Sequence, residues 1–560
     1  MNNMILLLKQ LERQGVKLAL NDKGQLISQS SKEAVTPAIG ATIKAHKDEL
    51  VRCLAARAAF EAPILAQCDD EGARQGPLSS SQSGLWFIEQ YEEASHLYNM
   101  PVYFRVKGEL DTAALEFAFD HLFARHPSMR TRFIKDEAGR GAQEILPHEP
   151  FTLQIEDVST EPAAEREAYV ARRVREEIGR PFSLTKGDLS RVHLIRLGSR
   201  EHVLLITQHH IISDGWSVKN MFADLKRAFL AHQNREPLQV SELPLTYIDY
   251  ARWFNSPRFL DYHAEFKPFW VDRLGGSPEV HGLPLDKPRP AHQDSGGELV
   301  FSTIESDLWE SFKRLCQRHS TSNFIGLHAL FALLMVRQSG EKEVVIGTPL
   351  AYRERHEIES LVGFFVNTLV LRTQLSGKPS FVDYLQQCRE EDLAAFDHQL
   401  YRFEALAEAI GADRTTAINP IFQIMLVYQA KVDFNDLIPG CQLVEETSPV
   451  LPAKTDISVK VTELMDSVRV DWLFATSLFE RETIQAYADR LLHLMRAVVA
   501  APRPTSGNCR WRRAPTRPRW PPSLQTCRRI TRAATPCSVI SSGALFSYRT
   551  RWRSATARNR

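Results

Sequence analysis

The segment Gln208-His209-His210-Ile211-Ile212-Ser213-Asp214-Gly215-Trp216-Ser217 places two imidazoles, a carboxylate and a glycine directly behind the apolar run Val203–Thr207. Imidazole exchanges a proton near neutral pH, a nearby carboxylate orients or neutralises a partner, and glycine allows close backbone approach or a positive φ. Together these residue types suit proton transfer at a reacting nitrogen or oxygen. Neighbouring side chains on a strand point to opposite faces, so His209 and His210 cannot both ligate one metal or both face one substrate. No metal is expected here; one histidine is expected to work and the other to support it. Taken alone, the segment is equally compatible with two structural histidines at a strand end.

Elements able to position such a site fill the chain. Its 560 residues leave room for about three to four domains, and 43% hydrophobic with 24% charged residues allows large buried cores. The 69 basic and 68 acidic side chains nearly cancel, which argues against nucleic-acid or membrane partners. Eight cysteines show no CxxC or paired spacing, so neither a zinc ribbon nor a disulfide framework is expected. No apolar run reaches the ~18 residues of a membrane span or makes a signal segment. A cytoplasmic protein with free thiols is expected. Strand-like stretches at Val203–Thr207, Val344–Ile346 and Ile421–Val427 alternate with helical spacing at Leu115–Phe123, Ile325–Val336 and Phe381–Leu393, which points to α/β layers.

Residues 1–56 read as helix, hairpin, helix. Leu6, Leu7, Leu8 and Leu11 make an amphipathic turn, Asn21-Asp22-Lys23-Gly24 reverses the chain, and Thr36-Pro37 opens a helix carrying Ile39, Ile43, His46, Leu50 and Leu54. The pattern Leu7–Leu18, the polar turn and the Lys47/Glu49/Leu50 ending resemble the N-terminal docking domains of megasynthase subunits, the tubulysin-synthetase type. That resemblance implies strand addition by the C-terminal peptide of an upstream synthase subunit. With 9 basic and 5 acidic side chains in residues 1–60, an acidic peptide is expected. The bland alternative is a helical cap on the next domain. Residues 57–76 read as a linker.

The pattern HHxxxDG at His209–Gly215 resembles the signature of nonribosomal peptide synthetase condensation domains, and further motifs similar to that family's follow its order. They are Ser79–Trp86, Arg125–Phe133, Tyr247–Trp253, Val362–Thr368, Asp397-His398-Gln399 through Phe403-Glu404, and Arg414 with Asn419-Pro420. Gly84 departs from a common Arg, and Pro127 and Met129 from the usual Glu and Leu, leaving subtype and local packing open. The resemblance, covering residues 77–430, implies an α/β fold of two chloramphenicol-acetyltransferase-like lobes in a V-shaped pseudo-dimer over residues 77–500, with a lobe boundary near 250–290 and a small α+β docking domain ahead. It also implies a tunnel between the lobes, entered from opposite mouths by the 4'-phosphopantetheine arms of upstream and downstream carrier proteins, with no cofactor bound by the chain itself.

The implied reaction is amide formation between a donor acyl or peptidyl thioester and an acceptor aminoacyl thioester. His210 would handle the proton and His209 support it. Asp214 would pair with an Arg of the other lobe, for which Arg353 is the candidate. The Gly215 N–H would face the oxyanion, Asn419 would line the tunnel, and Ser213 and Trp216 would support the site.

Residues 501–560 contain 14 Arg, no Lys and no acidic residue, against 55 basic and 68 acidic groups in residues 1–500. Arg without Lys is what GC-rich coding sequence yields in a wrong frame. A disordered Arg/Pro-rich tail, read out of frame where an adenylation domain would begin, is expected. Two rival readings remain: a truncated, non-catalytic docking or scaffold remnant, and an epimerisation domain, which shares HHxxxDG but normally follows a carrier within its module.

Overall fold

In the strand Glu201–His209 the side chains of Val203, Leu204, Leu205 and Ile206 are all buried, on both faces. Alternation sorts them. Leu204 and Ile206 join one apolar cluster with the helices Thr112–Arg125 and Gly215–Asn234, while Val203 and Leu205 face Val170, Val174 and Ile178 of the helix Ala163–Gly179. Helices on both sides explain the uninterrupted apolar run. The computed structural model describes residues 4–31, 34–66, 74–91, 96–292, 294–377, 379–411, 418–430, 434, 437–446, 451–464 and 467–500. Arg414 and the tail 501–560 lie outside the described residues.

Two large sheets organise the chain. The first orders its strands Cys441–Glu446, Asn99–Gly108, Glu201–His209, Ser190–Gly198 and Gln154–Asp157; all neighbours are antiparallel except the last pair. The second, mixed sheet runs Gly297–Glu305, Ser467–Ala475, Ile457–Glu463, Ile424–Ala430, Glu343–Ala351 and Val366–Gln374. Cys441–Glu446 lies between two strands of the second sheet in sequence but pairs with Asn99–Gly108 in the first. The lobes are therefore stitched by a crossing strand. Arg105 holds that crossing at Glu446 (2.7 Å) while also reaching Glu201 and Glu167.

The N-terminal unit has the expected order, with helices and strands at Met4–Arg13, Leu18–Leu20, Leu26–Ser28 and Pro37–Ala45. Gly24 takes φ +71°, and Asn21 Oδ1 accepts from the N–H groups of Lys23 and Gln25, closing the turn. Thr36 caps the second helix through the Ile39 N–H. The structure differs from expectation in two respects. The second helix breaks at His46 (φ −112°, ψ 22°) and restarts as Lys47–Glu61, so the expected linker 57–76 begins as helix. Later in that stretch Gln75–Pro77 forms a strand paired with Gly141–Ile145. The unit is also seated on the larger body: Lys9 and Arg13 meet Asp397, Arg52 meets Glu265, and Arg57 is held within the unit by Glu12 and Glu61. These pairs engage four of the basic residues on which the expectation of an acidic peptide partner rests.

The cysteines among the described residues, Cys53, Cys316, Cys388 and Cys441, are buried free thiols. Among the described residues no single helix is long and apolar enough to cross a membrane.

Candidate active site

The strand ends at His209, and His210–Ile212 forms one turn of 3-10 helix. The two imidazoles therefore diverge through a turn, not through strand alternation. His209 is fully buried; its Nδ1 accepts from the Ile211 N–H (3.1 Å), so its Nε2 carries the proton and donates to Glu89 (3.3 Å). Both ring nitrogens are occupied structurally. His210 is half-buried. Its backbone N–H donates to the Tyr98 carbonyl and its Nδ1 donates to the Ser213 carbonyl (2.8 Å). A carbonyl only accepts, so Nδ1 holds the proton and Nε2 keeps a lone pair. Burial, then the Lys454 cation, pushes the His210 pKa down to about 4, against weaker opposition from the Ser213 carbonyl and Asp214. The imidazole is neutral at physiological pH, and the Phe364 ring packs edge-on at 4.8 Å.

Asp214 turns the chain into the helix Gly215–Asn234. Its backbone is extended (φ −140°, ψ 178°), and its Oδ1 accepts from the Ser217 N–H at 2.7 Å, an N-cap. The same carboxylate accepts from Arg353 Nη2 (3.2 Å) and, through Oδ2, from the Phe365 N–H (3.0 Å). Arg353 also donates to Ser217 Oγ and to the carbonyls of Ile358 and Leu361, and its guanidinium stacks on the Phe365 ring at 3.9 Å. Asp214 and Arg353 have side chains 1% and 2% exposed, respectively. The pair joins the helix of the first lobe to the 353–365 segment of the second.

Gly215 departs from expectation. It does not have a positive φ; it is the first helical residue, and a Cβ built there meets nothing within 4 Å. Its value is open space beside the helix terminus. The glycine that close approach demands is Gly363, where a Cβ would lie 2.0 Å from the Tyr247 ring. Ser213 supports His210 through its carbonyl, while its hydroxyl is buried without a partner among the described residues. Trp216 is 41% exposed and donates to the Glu359 carbonyl, bridging the lobes at the surface. Asn419 turns its carboxamide oxygen back onto the N–H groups of Ile421 and Phe422, shaping the entry to the strand Ile424–Ala430.

Several supporting residues, most of them inside the motifs, have no role that the sequence assigns. Ser217 exchanges hydrogen bonds with Gly363 as well as Arg353; its position three residues after a capping Asp is the available signal. Tyr247 donates to the Phe364 carbonyl and accepts from Ser79, joining three of the motifs. Lys454 lies over the Tyr98 ring at 4.6 Å. It is solvent-accessible, yet the surrounding protein desolvates its ammonium and lowers its pKa to about 8. Nothing in the spacing around it marks it out. Gly84 has room for a larger side chain, with Glu404 the nearest neighbour at 3.9 Å. Among the described residues no cluster of three or more His, Cys, Asp or Glu is arranged to hold a metal.

Comparison with known proteins places this geometry in a family. Residues 73–509 match the model of the condensation domain, and residues 5–55 match that of the TubC N-terminal docking domain. A linear gramicidin synthase protein of Brevibacillus parabrevis is 35% identical over 429 residues, 76% of this chain and 8% of that protein. Malpinin synthetase of Mortierella alpina is 37% identical over 411 residues, 73% of this chain and 5% of that one. The chain thus spans a small fraction of these relatives. Among solved structures, the X-domain from teicoplanin biosynthesis superposes with a TM-score of 0.71 at 25% identity, covering 80% of this chain and 99% of that one. A four-domain nonribosomal peptide synthetase bound to AMP and glycine gives 0.69 at 23% identity, covering 77% of this chain and 33% of that one. The chain belongs to the condensation-domain family of nonribosomal peptide synthetases, with a TubC-type docking domain at its N-terminal end.

Proposed function

We propose that this chain transfers a carrier-bound acyl or peptidyl group from its thioester to the α-amine of a second carrier's aminoacyl thioester, forming an amide and releasing the donor thiol. Condensation domains are amide-forming acyltransferases of this type. Both reactants arrive tethered and the thioester is already activated, so holding them together accounts for much of the acceleration; good orientation supplies ~7–11 kcal/mol. An α-amine of pKa ~7.7–8.0 costs only about 1 kcal/mol to deprotonate near pH 7. No strong ground-state base is required.

The observation that carries the role of His210 is its fixed tautomer, with Nδ1–H on the Ser213 carbonyl and the lone pair on Nε2. As the C–N bond forms, the attacking nitrogen becomes an acidic ammonium, which even an imidazole of low pKa deprotonates; the proton then passes to the leaving thiolate or to solvent. Gly215 presents a helix N-terminal N–H beside open space, which supports a place for the developing oxyanion. Asp214 and Arg353 are positioning residues. The reactants' phosphopantetheine arms are substrate, brought by upstream and downstream carriers, and the hairpin at residues 18–28 takes the C-terminal peptide of an upstream synthase by strand addition.

The intact His210–Ser213 and Asp214–Arg353 arrangements favour this reading over a scaffold remnant. The test supplies donor-loaded and acceptor-loaded carriers and follows the acceptor by intact-protein mass spectrometry. The product is expected to gain the donor mass on the acceptor arm, and absence of that product with the native chain would refute the assignment.

A further inference from the structure

The segment 353–365 is gripped from two sides. On one side Arg353 binds Asp214 and Ser217, and the carbonyls of Glu359 and Leu361 accept from Trp216 and Asn220 of the helix Gly215–Asn234. On the other side stands the end of the N-terminal unit. Arg355, two residues from the site arginine, donates Nη1 to the Phe60 carbonyl (3.2 Å) and Nη2 to the Ala62 carbonyl (3.3 Å). These are carbonyls that the helix Lys47–Glu61 leaves unpaired as it ends, and a forked cation is the complement to that negative terminus. The Glu357 carboxylate pins the Arg355 fork at 2.7 Å and accepts from the Ile64 N–H. The Phe60 ring is buried against Trp253, Phe259 and Tyr262, with centroids 5.0–6.0 Å apart.

We propose that the last turn of the N-terminal unit is part of the condensation site's support: Phe60 and the carbonyls of Phe60 and Ala62 hold Arg355, and Arg355 fixes the segment that delivers Arg353 to Asp214. A docking domain attached only as a tether would end in flexible chain. Here its helix runs past the docking unit, anchors an aromatic ring in the body, and ends on the guanidinium two residues from the interlobe ion pair. Arg355 and Phe60 are positioning residues. The inference rests on the condensation reading for its effect on rate, but not for its effect on structure.

Full-length Arg355→Ala and Phe60→Ala, singly and combined, test it with two readouts. In single-turnover amide formation with saturating carriers, each substitution is expected to lower the rate by ~2- to 30-fold, the range of coupling carried through packed neighbours. The combined variant should be no worse than the weaker single variant, since both cut one chain of contacts. Hydrogen exchange should quicken in peptides covering 213–218 and 359–366, where the Ser217 and Phe365 N–H groups bind Asp214. Arg355→Lys, which still donates to one carbonyl, should recover part of both signals. If Phe60→Ala does not fold, Arg355→Gln removes the fork while leaving the aromatic cluster in place, and its exchange decides the matter. Unchanged exchange in both peptides, or rates within about two-fold of native for both variants, would overturn the proposal. A native chain with no amide formation at all would instead sink the condensation reading, leaving the exchange data to decide the support role.

Discussion

Replacing Asp214 with Ala removes one carboxylate that serves three donors: the Ser217 N–H at 2.7 Å, Arg353 Nη2 at 3.2 Å and the Phe365 N–H at 3.0 Å. The lost N-cap alone costs about 1 kcal/mol, and the orphaned buried Phe365 N–H costs ~1–3 kcal/mol. The unpaired Arg353 dominates, because breaking a buried ion pair from one side costs ~3–5 kcal/mol. These terms share one group and are not summed; a loss of ~4–5 kcal/mol is expected. Arg353 keeps other partners, so its charge is not wholly stranded: Ser217 Oγ and two carbonyls still accept from it. Arg353→Met leaves the Asp214 charge buried but still held by two backbone donors, so it should cost ~3 kcal/mol. The discriminating measurement is a double-mutant cycle in urea, followed by tryptophan fluorescence. Asp214→Ala with Arg353→Met should be more stable than the sum of the single losses by ~2 kcal/mol or more. An additive cycle, or an Asp214→Ala loss below ~1 kcal/mol, would refute the view that this pair holds the lobes together.

Other outcomes follow from the same geometry. His210→Ala should lower amide formation by ~10²–10⁴-fold without shifting the urea midpoint by more than a small amount, and near-native turnover would remove the proton-transfer role. Because the folded His210 has a pKa of about 4, below its ordinary 6.5, the folded chain takes up this proton later than the unfolded one as pH falls. Stability from this group is therefore present above pH 6.5 and lost between 6.5 and 4. Lys454→Gln should raise the His210 pKa toward the ordinary value and move the acid limb of the single-turnover rate upward in pH, and an unshifted limb would show that the ammonium does not act on the imidazole. Gly363→Ala should destabilise by ~1–3 kcal/mol and slow the reaction, since its Cβ would collide with the buried Tyr247 ring; native stability would show that the ring can move aside.

Local elements and the order of the parts are legible in the amino-acid sequence. The Asn21–Gly24 turn and the Thr36 cap rest on interactions within a few residues, and composition and period alone carry the apolar run before His209 and the spacing of Leu115–Phe123. The motif order brings His210, Asp214 and Arg353 together through resemblance, and the 3.2 Å ion pair agrees with that placement. What depends on contacts far apart in the chain is legible only once the chain is folded. A glycine after Asp suggests a special turn at Gly215, but helix formation after the Asp214 cap sets its φ, and the close approach belongs to Gly363 against the distant Tyr247. Lys454 gains its lowered pKa from protein packed around it, which no local pattern records. The stretch after residue 56 reads as a linker because its polar and alanine-rich residues lack a period; Phe60 has a place in the fold only because Trp253, Phe259 and Tyr262, far along the chain, form the pocket that receives it.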